Sequence, residues 1–330
     1  MLISSGKLKA ESGKFGPASQ WLAGLCIAAA ILLPAVGYCG QPKVTLVAVG
    51  DVLFARGVGK QITKHGAKWL FANVKGTIKG ADIAFFNLEC TLSTGGVVQR
   101  RRFQFRADPK LAGVLSASGF DVACLANNHT LDYGREAMMD TVRAVCKAGM
   151  AAVGAGKDRA DALKLQIVKR NGLRVGFLAY TDLPTDGVVR LADRPTVAGL
   201  NPDELPAQIK SARKRCDALV VSFHWGVEYM KRPTERQQHI AHVCIDNGAD
   251  VVLGHHPHVL QPTETYKGRP IIYSMGAFVW DAKIFGADKS AIYTIEMGKG
   301  SARLVKSASV RIKGCRPLLC VNISASKRVK

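Results

Sequence analysis

The sequence lacks several patterns that would assign an activity directly. Its nine cysteines form no Cys-x-x-Cys pair, which disfavours a thiolate zinc cluster. Ser93 and Ser222 stand outside any Gly-x-Ser-x-Gly turn, so serine hydrolysis has no support. A complete phosphate loop is also missing, because Ala151 stands where its first glycine is required and Asp158 where Ser or Thr is required. The sequence therefore offers neither a nucleophilic serine nor a nucleotide site.

Acidic residues are scarce relative to basic ones. The 330 residues include 46 Lys and Arg but 25 Asp and Glu, which gives a formal charge of +21. A surface of this charge attracts anionic ligands such as phosphate, an acidic polymer or anionic lipid. No stretch resembles an RNA-recognition or helix-turn-helix module, so specific nucleic-acid binding is not expected. The last thirty residues hold eight Lys or Arg and no acid, which fits either a solvated edge or a contact with an anionic surface.

The sequence has no apolar run as long as the ~20 residues of a membrane-spanning helix. Residues 21–36 are nevertheless apolar and uncharged, follow Lys7, Lys9 and Lys14, and end near the small residues Ala35 and Gly37. This order is typical of an export signal. We predict that residues 1–40 are an export signal, or an N-terminal membrane anchor formed by residues 21–37. Either interpretation places the protein in the periplasm or cell envelope.

Export would expose the cysteines to an oxidising compartment. There Cys315 and Cys320 are close enough in sequence to form a disulfide. Cys124 and Cys244 lie in apolar runs, where a small buried thiol is expected instead.

Five apolar runs predict buried strands, and each is followed at once by polar residues. The runs are residues 44–49, 82–86, 120–126, 218–223 and 249–253. Helical segments are predicted at residues 109–118, 135–148, 202–215 and 234–247. Alternation of strands and helices indicates βαβ units and mainly parallel pairing. Because ligands of such sheets bind beyond the carboxyl ends of the strands, we expect the polar residues to meet in one crevice.

The polar residues at these strand ends predict a metal site. The candidate ligands are Asp51, Glu89, Asn128, His224, His256 and His258. Carboxylate, amide and imidazole ligands suit Mn, Fe, Zn or Co and suit calcium poorly. Two such ions about 3.5–4 Å apart can promote in-line attack on phosphorus. Any one of these residues alone would be as well explained as a helix cap or a packed histidine, but five of the eight histidines fall in three of these motifs.

His129 and Asp132 are the candidate catalytic residues. A histidine beside a metal site and oriented by a carboxylate can protonate a departing oxygen. The alternative is that His129 caps the helix that begins near Gly134. Arg106, at the end of the basic loop 100–106, can pair with carboxylate or phosphate groups, although a solvated loop would have the same composition.

Seven motifs, taken together, resemble the CapA family of bacterial capsule synthesis proteins linked to poly-γ-glutamate, which are similar to calcineurin-like metallophosphatases. The likeness covers about residues 44–281, and the motifs begin at Gly50, Asn87, Phe103, Ala126, His224, Gly254 and Tyr273. The resemblance implies a four-layer α/β/β/α sandwich with a metal-dependent phosphoesterase-like site. It also implies a role in making, exporting or anchoring an anionic envelope polymer.

The resemblance assigns the six candidate ligands to one or two divalent ions and His129 to the general acid. Either His255 or His256 can face the metal, and the Gly-His-x-His pattern of the superfamily favours His256 with His258. From the same motifs we predict substrate contacts for Arg56, Arg106 and Glu228. The expected organisation is a metallophosphatase-like domain at residues 41–285, followed at 286–330 by strands that complete the sandwich and a basic tail.

Two positions depart from the family pattern. Leu53 replaces the histidine of an Asp-x-His motif, which removes one metal ligand, and Ala277 replaces the asparagine of Gly-Asn-Phe. Two hypotheses follow. The first is an exported metal-dependent hydrolase that acts on a phosphoester or a capsule-linked acidic polymer. The second is a non-catalytic accessory protein that binds the polyanion and a membrane synthase.

Overall fold

The computed structural model describes residues 41–99, 103–185, 188–281 and 286–320. The predicted export signal or anchor at residues 1–40 lies outside the described residues, and so does the end of the basic tail. In the part that is described, no helix is long and apolar enough to span a membrane.

The elements are numbered in chain order. The strands are β1 (Val44–Val52), β2 (Ile83–Leu88), β3 (Thr91–Leu92), β4 (Arg106–Ala107), β5 (Val122–Cys124), β6 (Ala151–Val153), β7 (Ala155–Gly156), β8 (Gln166–Arg170), β9 (Leu173–Thr181), β10 (Thr196–Val197), β11 (Ala218–His224), β12 (Val251–His255), β13 (Thr263–Tyr266), β14 (Arg269–Ile272), β15 (Ala277–Val279), β16 (Lys289–Gly298), β17 (Ser301–Lys313) and β18 (Arg316–Leu319). The helices are α1 (Arg56–His65), α2 (Lys75–Lys79), α3 (Leu111–Ala117), α4 (Gly134–Lys147), α5 (Arg159–Ala162), α6 (Leu205–Arg213) and α7 (Glu235–Asp246), with a 3₁₀ turn at Ala67–Phe71.

Two large sheets organise these strands. The first has the order β18-β17-β16-β1-β2-β5-β6, with β15 also paired to β1, and the second has the order β13-β14-β12-β11-β9-β8. The central strands run parallel, namely β1, β2, β5 and β6 in one sheet and β9, β11, β12 and β14 in the other. β16 pairs antiparallel with β1, and β17 and β18 extend the first sheet from β16 in successive antiparallel pairs.

Side chains from alternate strand positions form three apolar layers. In β1, Val47 faces the layer that includes Met138 of α4, whereas Leu46 faces the second sheet. Phe85 and Phe177 stack between the two sheets at 6.0 Å, and a third layer packs β11 against α6 and α7. Helices thus cover the outer face of each sheet, and the predicted four-layer α/β/β/α sandwich is confirmed.

Most of the local predictions agree with the structure. The four predicted helices correspond to α3, α4, α6 and α7, and β8 and β9 form an antiparallel hairpin. Asn171 and Gly172 form its turn, with φ values of 48° and 78°. Cys124 and Cys244 are buried thiols as expected, whereas Cys315 and Cys320 are free rather than bridged.

Candidate metal centre

The carboxyl ends of strands from both sheets bring four predicted ligands together. Asp51 ends β1, and its Oδ2 lies 2.9 Å from Nδ1 of His258. Oε1 of Glu89, just after β2, lies 3.6 Å from Nε2 of His258 and 3.9 Å from Nε2 of His224. Candidate ligand atoms of Asp51, Glu89 and His258 all fall within 4.8 Å of one another. The parallel topology therefore assembles a buried group that could hold one cation, and the roles of its members remain predictions.

Close backbone contacts behind the ligands set this geometry. A Cβ on Gly50 would lie 1.8 Å from the carbonyl oxygen of Gly276, and one on Gly254 would lie 2.0 Å from that of Tyr273. Any side chain at either glycine would push neighbouring backbone away. The residue that follows each glycine, Asp51 or His255, is thereby held at the edge of the cluster.

Asn87 links the ligands of the two sheets. Its Nδ2 donates to Oδ1 of Asp51 at 2.8 Å and to Oε2 of Glu89 at 3.3 Å, and lies 3.4 Å from Nδ1 of His224. Its Oδ1 accepts a hydrogen bond from Asn127 at 3.0 Å. The side chain of Asn127 therefore supports Asn87, so the neighbouring, partly buried Asn128 remains the predicted ligand of that pair.

The last residue of β12 and the turn after it supply three imidazoles. Nδ1 of His255 lies 3.1 Å from Oδ1 of Asp51, while the ring of His256 lies 4.9 Å from that of His224 between centroids. His256 and His258 have φ values of 95° and 57°, a backbone region that costs a residue with a side chain on the order of 1–3 kcal/mol. Both His255 and His256 thus belong to the cluster, and the expected preference for His256 as a ligand remains a prediction.

His129 and Asp132 form a buried pair beside the cluster. Nδ1 of His129 lies 2.8 Å from Oδ2 of Asp132, and its Nε2 lies 4.0 Å from Oε1 of Glu89. Asp132 also accepts the backbone N–H of Phe105, whose ring packs on His129 at 4.2 Å between centroids. These contacts fix the imidazole with its Nε2 towards the candidate ligands, the orientation a general acid requires.

Burial sets the protonation states of the cluster. It lowers the pKa of His224 well below its ordinary value, with His256 adding to the effect, and it lowers the pKa of His256 to about 3. For Asp51 burial raises the pKa, but the hydrogen bonds with His255 and His258 outweigh it and the net pKa is well below its ordinary value. At neutral pH His224 and His256 are neutral and Asp51 is ionised, which are the forms that bind metal.

Three buried imidazole nitrogens have no hydrogen-bond partner among the residues described. They are Nε2 of His224, Nε2 of His255 and Nδ1 of His256. Buried polar atoms are normally paired, and imidazole nitrogens beside carboxylate oxygens form a donor set that transition ions accept. The residues present therefore fit a divalent transition metal.

Low pH should lower the free energy of unfolding of the metal-free protein, because burial lowers the pKa of His224 and His256 in the folded state. An unfolded histidine has a pKa near 6.5, whereas that of His256 is about 3, so between these values the unfolded state binds more protons and stability falls as pH falls. Urea unfolding of EDTA-treated protein at pH 7 and pH 5 should show a loss of about 2 kcal/mol from His256. His256→Gln should reduce the loss and His239→Gln, on an exposed residue, should not. Equal losses in all three proteins would contradict this account.

The two departures from the family pattern are fully buried. Leu53 packs in the apolar layer beneath α1 rather than in the cluster. Ala277 pairs with Asp51 across β15 and β1, and its N–H donates to the carbonyl oxygen of His258. Leu53 therefore offers no metal ligand, and Ala277 offers only its backbone atoms to the site.

Arg56 lies near the candidate centre. Its Nε is 3.3 Å from Oδ2 of Asp281, and its guanidinium lies 5.8 Å from the ring centroid of Phe105. A cavity of about 590 Å³ is lined by Arg56, Lys60 and Trp280. Trp280 in turn stacks on His258 at 4.3 Å between ring centroids, so this basic cavity adjoins the cluster.

The other predicted substrate contacts lie in different surroundings. Arg106 is exposed, and its guanidinium stacks on Tyr133 at 4.3 Å. Glu228 is exposed, and a carboxylate oxygen lies within 4.8 Å of ligand nitrogens of His256 and His258. Glu228 is thus beside the cluster, whereas Arg106 contacts Tyr133, the residue just before α4.

The sequence model of the bacterial capsule synthesis protein family, PGA_cap, matches residues 45–282. The chain belongs to this family. It is 35% identical over 247 residues to the capsule biosynthesis protein CapA of Bacillus anthracis, covering 72% of this chain and 60% of that protein. It is also 35% identical over 236 residues to the PGA biosynthesis protein CapA of Bacillus subtilis, covering 71% and 62%. The chain thus spans about 60% of the length of these CapA relatives.

Solved structures agree with the fold of this CapA-family chain. The calcineurin-like phosphoesterase YfkN of Bacillus subtilis superposes with a TM-score of 0.50 at 13% identity, covering 82% of this chain and 90% of that one. At this identity the likeness concerns the fold alone. The fold is nevertheless phosphoesterase-like, as the resemblance implied.

Some residues of the CapA-family site were not predicted. Asn87 was not a candidate, although alternation along β2 places it on the same face as Glu89. Trp280 was also missed, because a tryptophan after a short strand does not distinguish a site wall from a core residue. The His255 contact with Asp51 joins strands of two different sheets, and the sequence pattern does not define how the sheets pack.

Proposed function

We propose that this CapA-family protein is a metal-dependent hydrolase of anionic envelope polymer biosynthesis, acting on phosphoesters or on the capsule-linked acidic polymer. The observation that carries the proposal is the buried carboxylate and imidazole cluster beside the His129–Asp132 pair. Each part alone has a structural explanation. Together they supply the two requirements of phosphoester hydrolysis, a site for cations and a proton donor.

Each group of site residues would have its own role in the reaction. Asp51, Glu89, Asn128, His224, His256 and His258 would hold one or two ions of Mn, Fe, Zn or Co. When bound, such an ion supplies Lewis-acid stabilisation of charge on phosphoryl oxygens. His129 would protonate the departing oxygen from Nε2, since its Nδ1 faces Asp132 at 2.8 Å. Asp132 would hold the ring orientation and stabilise the protonated imidazole.

Charge around the cluster favours an anionic substrate. The chain carries a formal charge of +21, and the basic cavity beside Arg56 and Lys60 adjoins His258 through Trp280. An acidic polymer or phosphoester would be attracted to this side of the protein. We further propose that the protein acts in the periplasm or cell envelope beside a membrane synthase, with residues 21–37 as its export signal or membrane anchor.

A turnover assay tests the hydrolase. Purified protein stripped with EDTA should be inactive on p-nitrophenyl phosphate, bis-p-nitrophenyl phosphate and poly-γ-glutamate, and should gain activity with Mn²⁺. The same protein with Mg²⁺ alone should be less active, because imidazole ligands favour transition ions. Metal-independent turnover, or no turnover of any of the three with Mn, Fe, Zn or Co, would argue against the hydrolase.

A non-catalytic accessory role is the second candidate. It is favoured by the replacement of two family polar positions with Leu53 and Ala277, both fully buried. In that case the crevice would bind the polyanion and a synthase partner while chemistry occurs elsewhere. Saturable poly-γ-glutamate binding by EDTA-treated protein, without hydrolysis in the metal-supplemented assay, would favour this role.

A further inference from the structure

The sequence lacks one of the metal ligands that the family resemblance implies close to Asp51. Position 53, where the family resemblance expects histidine, is Leu53, and its side chain is buried in an apolar layer. A leucine there cannot bind a cation or exchange places with a polar group without opening the core. Any additional ligand must therefore come from another element.

Glu228, in the loop after β11, lies beside two of the predicted ligands. Its carboxylate oxygen and one nitrogen each of His256 and His258 are within 4.8 Å of one another. The two histidines are 7% and 3% exposed, whereas Glu228 is exposed. The loop that carries Glu228 is held to the histidine turn, because the N–H of Tyr229 donates to the carbonyl oxygen of Pro257 at 2.8 Å.

Two further observations point to a ligand at this position. Nδ1 of His256 is buried and has no hydrogen-bond partner in the described part of the chain, which is unusual for a polar atom. His256 also has a φ of 95°, a strained conformation that a packing role alone does not require. The turn thus presents an imidazole next to an exposed carboxylate.

We propose that Glu228 is a metal ligand, and that Glu228, His256 and His258 hold a divalent transition ion at the solvent-exposed side of the cluster. This inference rests on the metal site of the proposed function and not on hydrolysis. It replaces the substrate contact that the sequence predicted for Glu228. His258 belongs both to this group and to the group with Asp51 and Glu89, so the two cation positions are adjacent.

The chemistry of the three side chains selects the ion. Two imidazoles and one carboxylate are suited to Zn, Mn, Fe or Co and leave coordination positions open. Mg²⁺ and Ca²⁺ prefer oxygen ligands, so they should compete weakly. Because Glu228 is exposed, an ion held there can be reached by a ligand from solvent.

Metal titration tests the assignment without any substrate. The full chain is stripped with EDTA and titrated with Mn²⁺ by isothermal calorimetry, with free Mn²⁺ followed by its EPR signal. Glu228→Gln keeps the shape of the side chain but removes its charge and should weaken one Mn²⁺ equivalent by about tenfold or more. Glu228→His supplies another ligand and should retain most of the affinity. Glu235→Gln, on an exposed acid in the first turn of α7, is the matched control and should bind as the wild type does.

The outcomes separate a ligand from a nearby charge. A purely electrostatic effect would weaken the histidine and glutamine variants alike, which would overturn the assignment. Wild-type affinity in Glu228→Gln would overturn it as well, as would the absence of Mn²⁺ binding by the wild-type protein. Failure of the hydrolase assay would leave this result intact, because the titration measures binding alone. Circular dichroism of each variant verifies that the fold is unchanged.

Discussion

Replacing Asp51 with asparagine should remove most of the metal affinity and, with it, metal-dependent turnover. Both carboxylate oxygens of Asp51 point into the cluster, Oδ1 to Asn87 and His255 and Oδ2 to His258. Loss of a partner outside the coordination sphere already costs about 10–100-fold in metal affinity, so loss of this carboxylate should cost about 100-fold or more. Calorimetric titration of EDTA-treated protein with Mn²⁺, and metal content after dialysis, measure the change.

Asparagine preserves the size of the side chain, so the fold should survive the substitution at Asp51. Asp203→Asn, on an exposed residue next to α6, controls for the change in net charge and should bind Mn²⁺ normally. If Asp51→Asn keeps wild-type affinity while folded, the cluster at the ends of β1 and β12 is not the metal site.

Replacing His129 with alanine should lower kcat by about 10²–10⁴-fold, the usual contribution of a general acid. His129 is the predicted proton donor and not a metal ligand, and its ring is held by Asp132 and Phe105. The substitution should therefore lower turnover and leave the metal content unchanged. Turnover of an alkyl phosphate ester with saturating Mn²⁺, followed by release of inorganic phosphate, measures it. His239→Ala, on the exposed side of α7, provides the control.

The leaving group distinguishes a general acid from a structural histidine. A substrate whose leaving group is a good anion needs little protonation, so His129→Ala should be less harmful with p-nitrophenyl esters than with alkyl esters. Asp132→Asn should change the pH profile of kcat while retaining the hydrogen bond to Phe105 N–H. A loss that is equal for both leaving groups, accompanied by loss of metal, would show that His129 supports the ligands instead.

The arrangement of the site follows from the sequence to a considerable degree. Continuous apolar runs predicted the parallel strands that carry Asp51, Glu89 and His224, because only strands buried on both faces have that pattern. Parallel pairing then places the ends of neighbouring strands at one edge. The proximity of Asp51 to Glu89 was therefore predictable from strand pairing, whereas the contact of Asp51 with His258 depends on how the two sheets pack together.

Other features depend on contacts that no local pattern encodes. Asn87 gains its importance from the distances to Asp51 and His224, which belong to different sheets. The position of His256 depends on a positive φ that its residue type disfavours. Glu228 lies in a loop that is held to the histidine turn by a hydrogen bond from the N–H of Tyr229 to the carbonyl oxygen of Pro257. Each of these results from tertiary packing.

The ligands are divided between the two sheets, and this has a consequence for how the protein loses its cation. Asp51 and Glu89 belong to the first sheet, whereas His224 and His258 belong to the second or follow it. An ion bound by ligands of both sheets would link the two sheets. Removing the ion with a chelator would then weaken the contact between the two sheets at the carboxyl ends of their strands. The amide protons of β1 and β12 would exchange faster together.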